Sequence, residues 1–345
     1  MTSSPGQSHA SLSEEATDRS ETRRWWWHGF AVQGIFWRRF VDWAILNLPA
    51  GFHPPLIWVS TFVFFFVAAP ARKAVVRNLR IVLPCSSRPA NYLRVFRIFS
   101  NFGWTLTDAA IYKLLKPHFS YELDGEKFLR QLASGQGAIV LTAHMGNYDL
   151  GAAIFAEKFE RRIRMVRAPE ADALSAQHVD LSLQQSSAGA VKVGYSSEGT
   201  SLAFDLLNAL RNGEIISIQG DRVVGGVACS AVTFFGRQVF LPAGPFVLSL
   251  VSGMPIYPLF MVRTGYRKYK IIGREPIACS RDGRSREEEI SDAMQRWARV
   301  LEENVRVYWR QWYAFTPISQ LGGRSSATPR RSGLAGARPS MTATD

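Results

Sequence analysis

Short apolar runs alternate with longer amphipathic stretches from Gly125 onward. Compact apolar runs bounded by turn residues predict strands, and apolar positions recurring every three to four residues predict helices. By these criteria "AIVLTA" (138 to 143) is a buried strand and "NYDLGAAIFAEKF" (147 to 159) the helix that follows it. Further strands are expected over "RIRMVRA" (162 to 168), "AVKVGY" (190 to 195) and "EIISIQ" (214 to 219). A helix over "GTSLAFDLLNALRNG" stops at Asn212-Gly213. The loop "GDRVVGG" and the apolar stretch "FLPAGPFVLSLVSGMPIYPLFMV" come next. At Ser285, "SREE" forms a capping box with Glu288 at the N3 position, and Ile290, Met294, Trp297, Leu301 and Val305 repeat as the buried stripe of a last helix. This alternation predicts an α/β fold with a mixed, largely parallel sheet flanked by helices.

The pattern before this body is different. "RRWWWHGFAVQGIFWRRF" (23 to 40) sets tryptophans beside arginine pairs, which suits a bilayer interface where apolar and charged groups meet different solvents. Leu56 to Ala71 is a run of sixteen uncharged, mostly apolar residues. That is short of the ~20 residues a full span needs, so a one-leaflet anchor, a short tilted span and a buried core helix all remain open. Arg72, Lys73, Arg77 and Arg80 follow it and would mark a cytoplasmic side. The expected organisation is a disordered tail over 1–22, a membrane-associating segment over 23–72, one catalytic domain over 73–318 and a second disordered tail over 319–345.

Charge narrows the partners. A net charge of +13 over 345 residues implies an anionic one: nucleic acid, a membrane surface, or an acidic carrier or phosphorylated substrate. No helix-turn-helix, RNP-like or zinc-finger pattern supports nucleic acid, and aromatics beside a long apolar run fit lipid better. The isolated Cys85, Cys229 and Cys279 indicate neither a disulfide framework nor a zinc site, so no metal is expected. Phosphate-loop and dinucleotide-binding glycine patterns are absent, and "GYSSEG" is one residue too long for a nucleophile elbow.

What remains is "TAHMGNYD", in which His144 precedes Asp149 by five positions directly after a predicted strand. Spacing alone proves little, because "HASLSE" repeats it from His9 to Glu14 in the polar tail. Within one helix the two side chains would stand roughly 140° apart and could not meet. With His144 at the end of the strand and Asn147 opening the helix, the turn through Met145 and Gly146 can return the Asp149 carboxylate to the imidazole. Asp149 would then fix the tautomer and leave the other ring nitrogen as a general base. Asn147 and Asp149 equally suit a helix N-terminus as cap and dipole partner. Arg167 closes another predicted strand and Asp221-Arg222 follow a third, so three strand ends would deliver His144/Asp149, Arg167 and Asp221/Arg222 to one rim, where α/β sheets bind ligands.

"HMGNYD" resembles the H-x4-D/E motif of glycerolipid-type acyltransferases, and most closely the form found in the bacterial lipid A biosynthesis (lauroyl/myristoyl) acyltransferase family. "RNLRIVLP" (77 to 84), "MVRAPE", "IQGDRV", "FFGRQVFLPAGPFVLSLVSGMPIYPLF" and "VYWRQWYAF" are similar to further blocks of that family, in the same order. The sequence departs from it in carrying Asp149 where a glutamate is usual and Tyr148 where a tryptophan is common. The resemblance implies acyl transfer from an acyl carrier protein or coenzyme A thioester to a lipid hydroxyl, with no further cofactor. It implies His144 and Asp149 as the catalytic pair, and Asn147, Arg167, Asp221 and Arg222 as substrate-binding residues. A lipid A precursor or related glycolipid is the implied acceptor, with a lysophospholipid or an ornithine-type lipid as alternatives. The implied place is the cytoplasmic face of a bacterial inner membrane, and an inactive membrane scaffold on the same fold is the rival reading. Arg161, Arg162, Arg164, Arg267, Lys268 and Lys270 would form a basic surface for an acidic carrier or anionic lipid heads.

Overall fold

The computed structural model describes residues 35–318 apart from 170–172, 197–199, 224–226, 280–282 and 284. The expected tails, the tryptophans at 25 to 27 and the His9/Glu14 pair lie outside the described residues.

Among the described residues, four α-helices precede the first strand. They are α1 (Ile35–Asn47), α2 (His53–Val67), α3 (Ala69–Val82) and α4 (Arg88–Leu115). Helix α4 is 28 residues long, the longest of the described elements, and begins at an N-cap serine, Ser87, whose side chain accepts from Ala90 N–H. The body then runs β1 (Ser120–Asp124), α5 (Glu126–Ala133), β2 (Ala138–Thr142), α6 (Tyr148–Phe159), β3 (Ile163–Arg167), α7 (Ala173–Ser186), β4 (Val191–Tyr195), α8 (Thr200–Arg211) and β5 (Ile215–Gln219). It continues through β6 (Cys229–Phe234), β7 (Arg237–Pro242), α9 (Gly244–Ser252), β8 (Ile256–Gly265), β9 (Lys268–Gly273) and α10 (Arg286–Tyr308). Every strand and helix expected after Gly125 is present, and Ser285 and Glu288 make the reciprocal capping box.

A seven-stranded sheet has the order β1-β9-β8-β2-β5-β3-β4. Its neighbours are parallel except for the β8/β9 pair, as expected of a mixed, largely parallel sheet. Strand β2 is buried at all five positions, as a central strand covered on both faces must be. Strands β6 and β7 form a separate antiparallel hairpin. Its turn carries Phe235 and Gly236 at positive φ, the backbone a tight two-residue hairpin needs.

Helix α10 closes one face. Trp297, fully buried, stacks on Phe260 with ring centroids 5.8 Å apart, and its indole N–H donates to the Gly220 carbonyl at 2.9 Å. That bond fixes the backbone where β5 gives way to Asp221. Trp297→Ala is expected to lower unfolding free energy by about 3–5 kcal/mol, and Trp297→Phe by about 1–3 kcal/mol through the unpaired carbonyl. Urea titration of the purified protein measures both.

Candidate active site

The site is built by strand register. Strands β2 and β5 are parallel, with Thr142 opposite Gln219, and Gly220 N–H donates to the Thr142 carbonyl at 2.8 Å beyond the last pair. Continuing both strands by two residues sets His144 beside Asp221, one inter-strand spacing apart. Their side chains meet: His144 Nδ1 lies 2.7 Å from Asp221 Oδ1. An ionised carboxylate only accepts, so in the neutral ring Nδ1 holds the proton and Nε2 keeps its lone pair. The second oxygen, Oδ2, accepts from the Trp312 indole at 3.0 Å. Asp221 is 4% exposed and both of its oxygens are engaged.

The carboxylate on the imidazole is thus that of Asp221, not Asp149. Strand β5 lies between β2 and β3, so the end of β5 is the nearest strand end to His144. Asp149 sits in the first turn of α6 and turns toward the end of β3, where it accepts from Arg167 Nη1 at 2.8 Å. The turn through Met145 and Gly146 is present as expected. It serves to seat His144 rather than to return Asp149.

Several backbone bonds hold that turn. Gly146 has φ +60°, and a Cβ there would collide with the Met261 carbonyl. Gly146 N–H donates to the Gln311 carbonyl at 2.9 Å, Asn147 N–H to the Met261 carbonyl at 2.8 Å, and Tyr313 N–H to the His144 carbonyl at 2.7 Å. Asn147, expected to touch substrate, is 1% exposed and bonds within the protein. Its Oδ1 caps α6 at Leu150 N–H, and its Nδ2 donates to the Thr105 carbonyl and to the Tyr269 hydroxyl. Behind it, Tyr269 O–H and Arg263 Nε both donate to Asp108 Oδ2, at 2.6 and 3.0 Å.

The arginines converge as expected. Arg222 Nε lies 2.9 Å from Nδ1 and 3.1 Å from Nε2 of His144. A near-equidistant position is blocked in the ring plane by Cε1, so the guanidinium lies across the imidazole face and leaves the in-plane lone pair open. Arg167 stands over the Tyr148 ring, whose edge meets His144 at 5.9 Å between centroids. Of the expected basic docking surface, Arg161 is buried and donates to the Leu132, Gln136 and Gly213 carbonyls, so it braces loops instead. Arg164 and Lys270 pair with Glu214 and Glu122.

His144, Tyr148, Asp149, Arg167 and Arg222 line one cavity of about 920 Å³. Its walls are largely apolar, including Leu106, Val166, Leu206, Ile218, Val247 and Leu248. The volume is near the upper end of ordinary ligand pockets. A neutral histidine oriented by a buried carboxylate at the rim of an apolar cavity can take a proton from a hydroxyl whose carbon chain occupies that cavity.

The model of the bacterial lipid A biosynthesis acyltransferases matches residues 30–317. The chain belongs to that family. A search of curated proteins finds no match. As a family member the protein is an acyltransferase acting on a lipid A-type substrate. Trp312, which steers Asp221, carries no motif of its own. The signal that could have found it is the tryptophan-rich block "VYWRQWYAF".

Burial pushes the His144 pKa below the ordinary 6.5, Asp221 opposes the shift, and Arg222 and Arg167 add to it. Burial alone would raise Asp221, but His144, Arg222 and the Trp312 hydrogen bond outweigh it and hold the carboxyl well below its usual range. The imidazole is therefore neutral at pH 7, and activity should be level through neutrality and fall only below pH 6.5. Asp221→Asn removes the one influence that raises the histidine, so the acid limb moves to still lower pH and the rate drops by about 10²–10⁴-fold. Arg222→Gln removes a lowering influence and moves the limb up. A pH series of kcat/KM checks both directions.

Proposed function

We propose that the protein transfers a fatty acyl group from a thioester, on acyl carrier protein or coenzyme A, to a hydroxyl of a lipid A precursor, with His144 as general base. The observation that carries this is the His144/Asp221 pair at the rim of a mostly apolar cavity. The acceptor hydroxyl gives its proton to His144 Nε2 as its oxygen attacks the thioester carbonyl, forming a C–O bond. The tetrahedral intermediate collapses with cleavage of the C–S bond, and the imidazolium returns the proton to the departing thiolate. Asp221 stabilises the transient imidazolium. No acyl-enzyme is required, so no nucleophilic serine or cysteine is needed. Arg167 and Arg222 supply donors for an anionic head group or the developing oxyanion. Asp149 holds Arg167 in place and acts on His144 only at second hand.

Membrane contact belongs to the same proposal. Helix α2 buries His53, Ile57 and Thr61 against the body, while Trp58, Phe62 and Phe66, at 61%, 53% and 60% exposure, share its outer face. Residues 50–67 form the one stretch among the described residues that is long and apolar enough to cross a membrane. Because one side of it packs on the protein, we place it in a single leaflet. At 1.5 Å per residue the helix itself is about 22 Å long, less than a hydrocarbon core of ~30 Å. Lys73, Arg77 and Arg80 are exposed along α3 at a spacing suited to anionic head groups.

Incubation of the full chain with labelled acyl carrier protein, acyl coenzyme A and a lipid A precursor, followed by lipid mass analysis, tests the reaction. His144→Ala should lower transfer about 10²–10⁴-fold, and a variant as fast as wild type would refute the mechanism. Trp58→Ser, Phe62→Ser and Phe66→Ser should each weaken binding to anionic vesicles by about tenfold or more, since each removes a large side chain worth roughly 1.5–3 kcal/mol on burial. Vesicle co-sedimentation reads that loss.

A further inference from the structure

The large cavity has a second charged end that the proposed reaction does not use. One face of α4, through Thr105, Leu106, Ala109, Ala110 and Lys113, lines its wall. The Thr105 carbonyl is tied to Asn147, so this face begins at the level of the His144 turn. Eight residues further along, at 1.5 Å rise, Lys113 lies about 12 Å away. Arg38 of α1 and His178 of α7 line the same end.

The Lys113 side chain is only 5% exposed and its ammonium is 2.5 Å from Asp42, which also lies 3.8 Å from His178 Nε2. An ammonium has three donors, and Asp42 is its one hydrogen-bond partner among the described residues. Arg38 has no ion pair among the described residues, and Arg39 adds its charge to the same field. Joining α1 to α4 needs only Lys113 and Asp42. Against the single carboxylate of Asp42, the cations Arg38, Arg39 and Lys113 leave a surplus of two positive charges. Burial, Lys113 and both arginines push His178 below its ordinary pKa against the pull of Asp42, so it adds a neutral imidazole rather than further charge.

We infer that Arg38 and Lys113, with His178 facing them, form a subsite for a phosphate monoester of the lipid acceptor, about 12 Å along α4 from Thr105 at the level of the His144 turn. A phosphate monoester carries about −1.5 to −2 charges at pH 7 and three acceptor oxygens, which match the surplus charge and the uncommitted donors. The phosphodiester that joins pantetheine to an acyl carrier protein carries one charge and matches it less well, whereas coenzyme A carries a phosphate monoester of its own, which donor titrations separate. The inference rests on the reading of this cavity as the acceptor site.

Calorimetric binding of the lipid A precursor and of its phosphatase-treated counterpart, in the same detergent and without any acyl donor, tests it. The wild-type chain should bind the phosphorylated form more tightly. Arg38→Gln, which leaves the Lys113/Asp42 link in place, should weaken that form by on the order of tenfold to a hundredfold and leave the dephosphorylated form unchanged. Lys113→Met combined with Asp42→Asn should give the same selective loss without stranding a buried carboxylate. Equal binding of the two lipids by wild type, or equal losses in the variants, would overturn the subsite. In a separate titration with donor alone, a variant loss confined to acyl coenzyme A, measured against the same acyl group on pantetheine, would assign the cations to the donor and overturn it as well. Binding is read without turnover, so a chain that binds selectively but transfers nothing would contradict the proposed reaction and leave the subsite standing.

Discussion

The pairing of β2 with β5 is the contact on which the rest of the site depends. Parallel register fixes His144 and Asp221 opposite each other without help from local sequence, because both lie two residues beyond the paired Thr142 and Gln219. A slip of one residue between the two strands would put His144 and Asp221 on opposite faces of the sheet. The register is in turn held by a fully buried central strand and by the Trp297 bond to Gly220, which lies one residue before Asp221. Packing of α10 and chemistry at the strand ends are thus one mechanical unit.

Strands β2 to β5 and helices α6, α8 and α10 were legible because each strand is a compact apolar run and the last helix has both a capping box and a clean stripe. Helix α4 was not, because its buried face includes Asn91, Thr105, Thr107 and Asp108, whose polar side chains break the apolar period. Those residues are buried because they hydrogen-bond, and Asp108 and the Thr105 carbonyl support the site from behind. The β6/β7 hairpin was equally hidden, its strands merging in the sequence with an apolar stretch that continues into α9.

At the site, the sequence and the structure place the same residues at one rim, but the carboxylate on the imidazole is that of Asp221, not Asp149. Proximity along the chain suggests His144 with Asp149, five residues away, whereas sheet order brings in Asp221 from 77 residues away. Strand order is a property of the whole sheet and cannot be read from one motif. Asp149 is still part of the constellation through Arg167, so the H-x4-D spacing here accompanies a hydrogen-bonded pair, His144/Asp221, and an ion pair, Arg167/Asp149. Helix α1 has a similar double part: its Asp42 anchors it to the body through Lys113, and its Arg38 lines the cavity.

The bond from Trp312 to Asp221, with the bond from Tyr313 to the His144 carbonyl, has a consequence for the order in which the chain becomes competent. Both contacts close loops of 91 residues or more, and such long-range contacts form late. During synthesis the segment that completes the dyad leaves the ribosome well after the sheet it completes. A nascent chain can therefore assemble β2 and β5 while the aspartate still lacks its indole donor and the histidine turn its clasp. On the proposed mechanism, proton abstraction is thereby deferred until the last helix and the residues after it have docked.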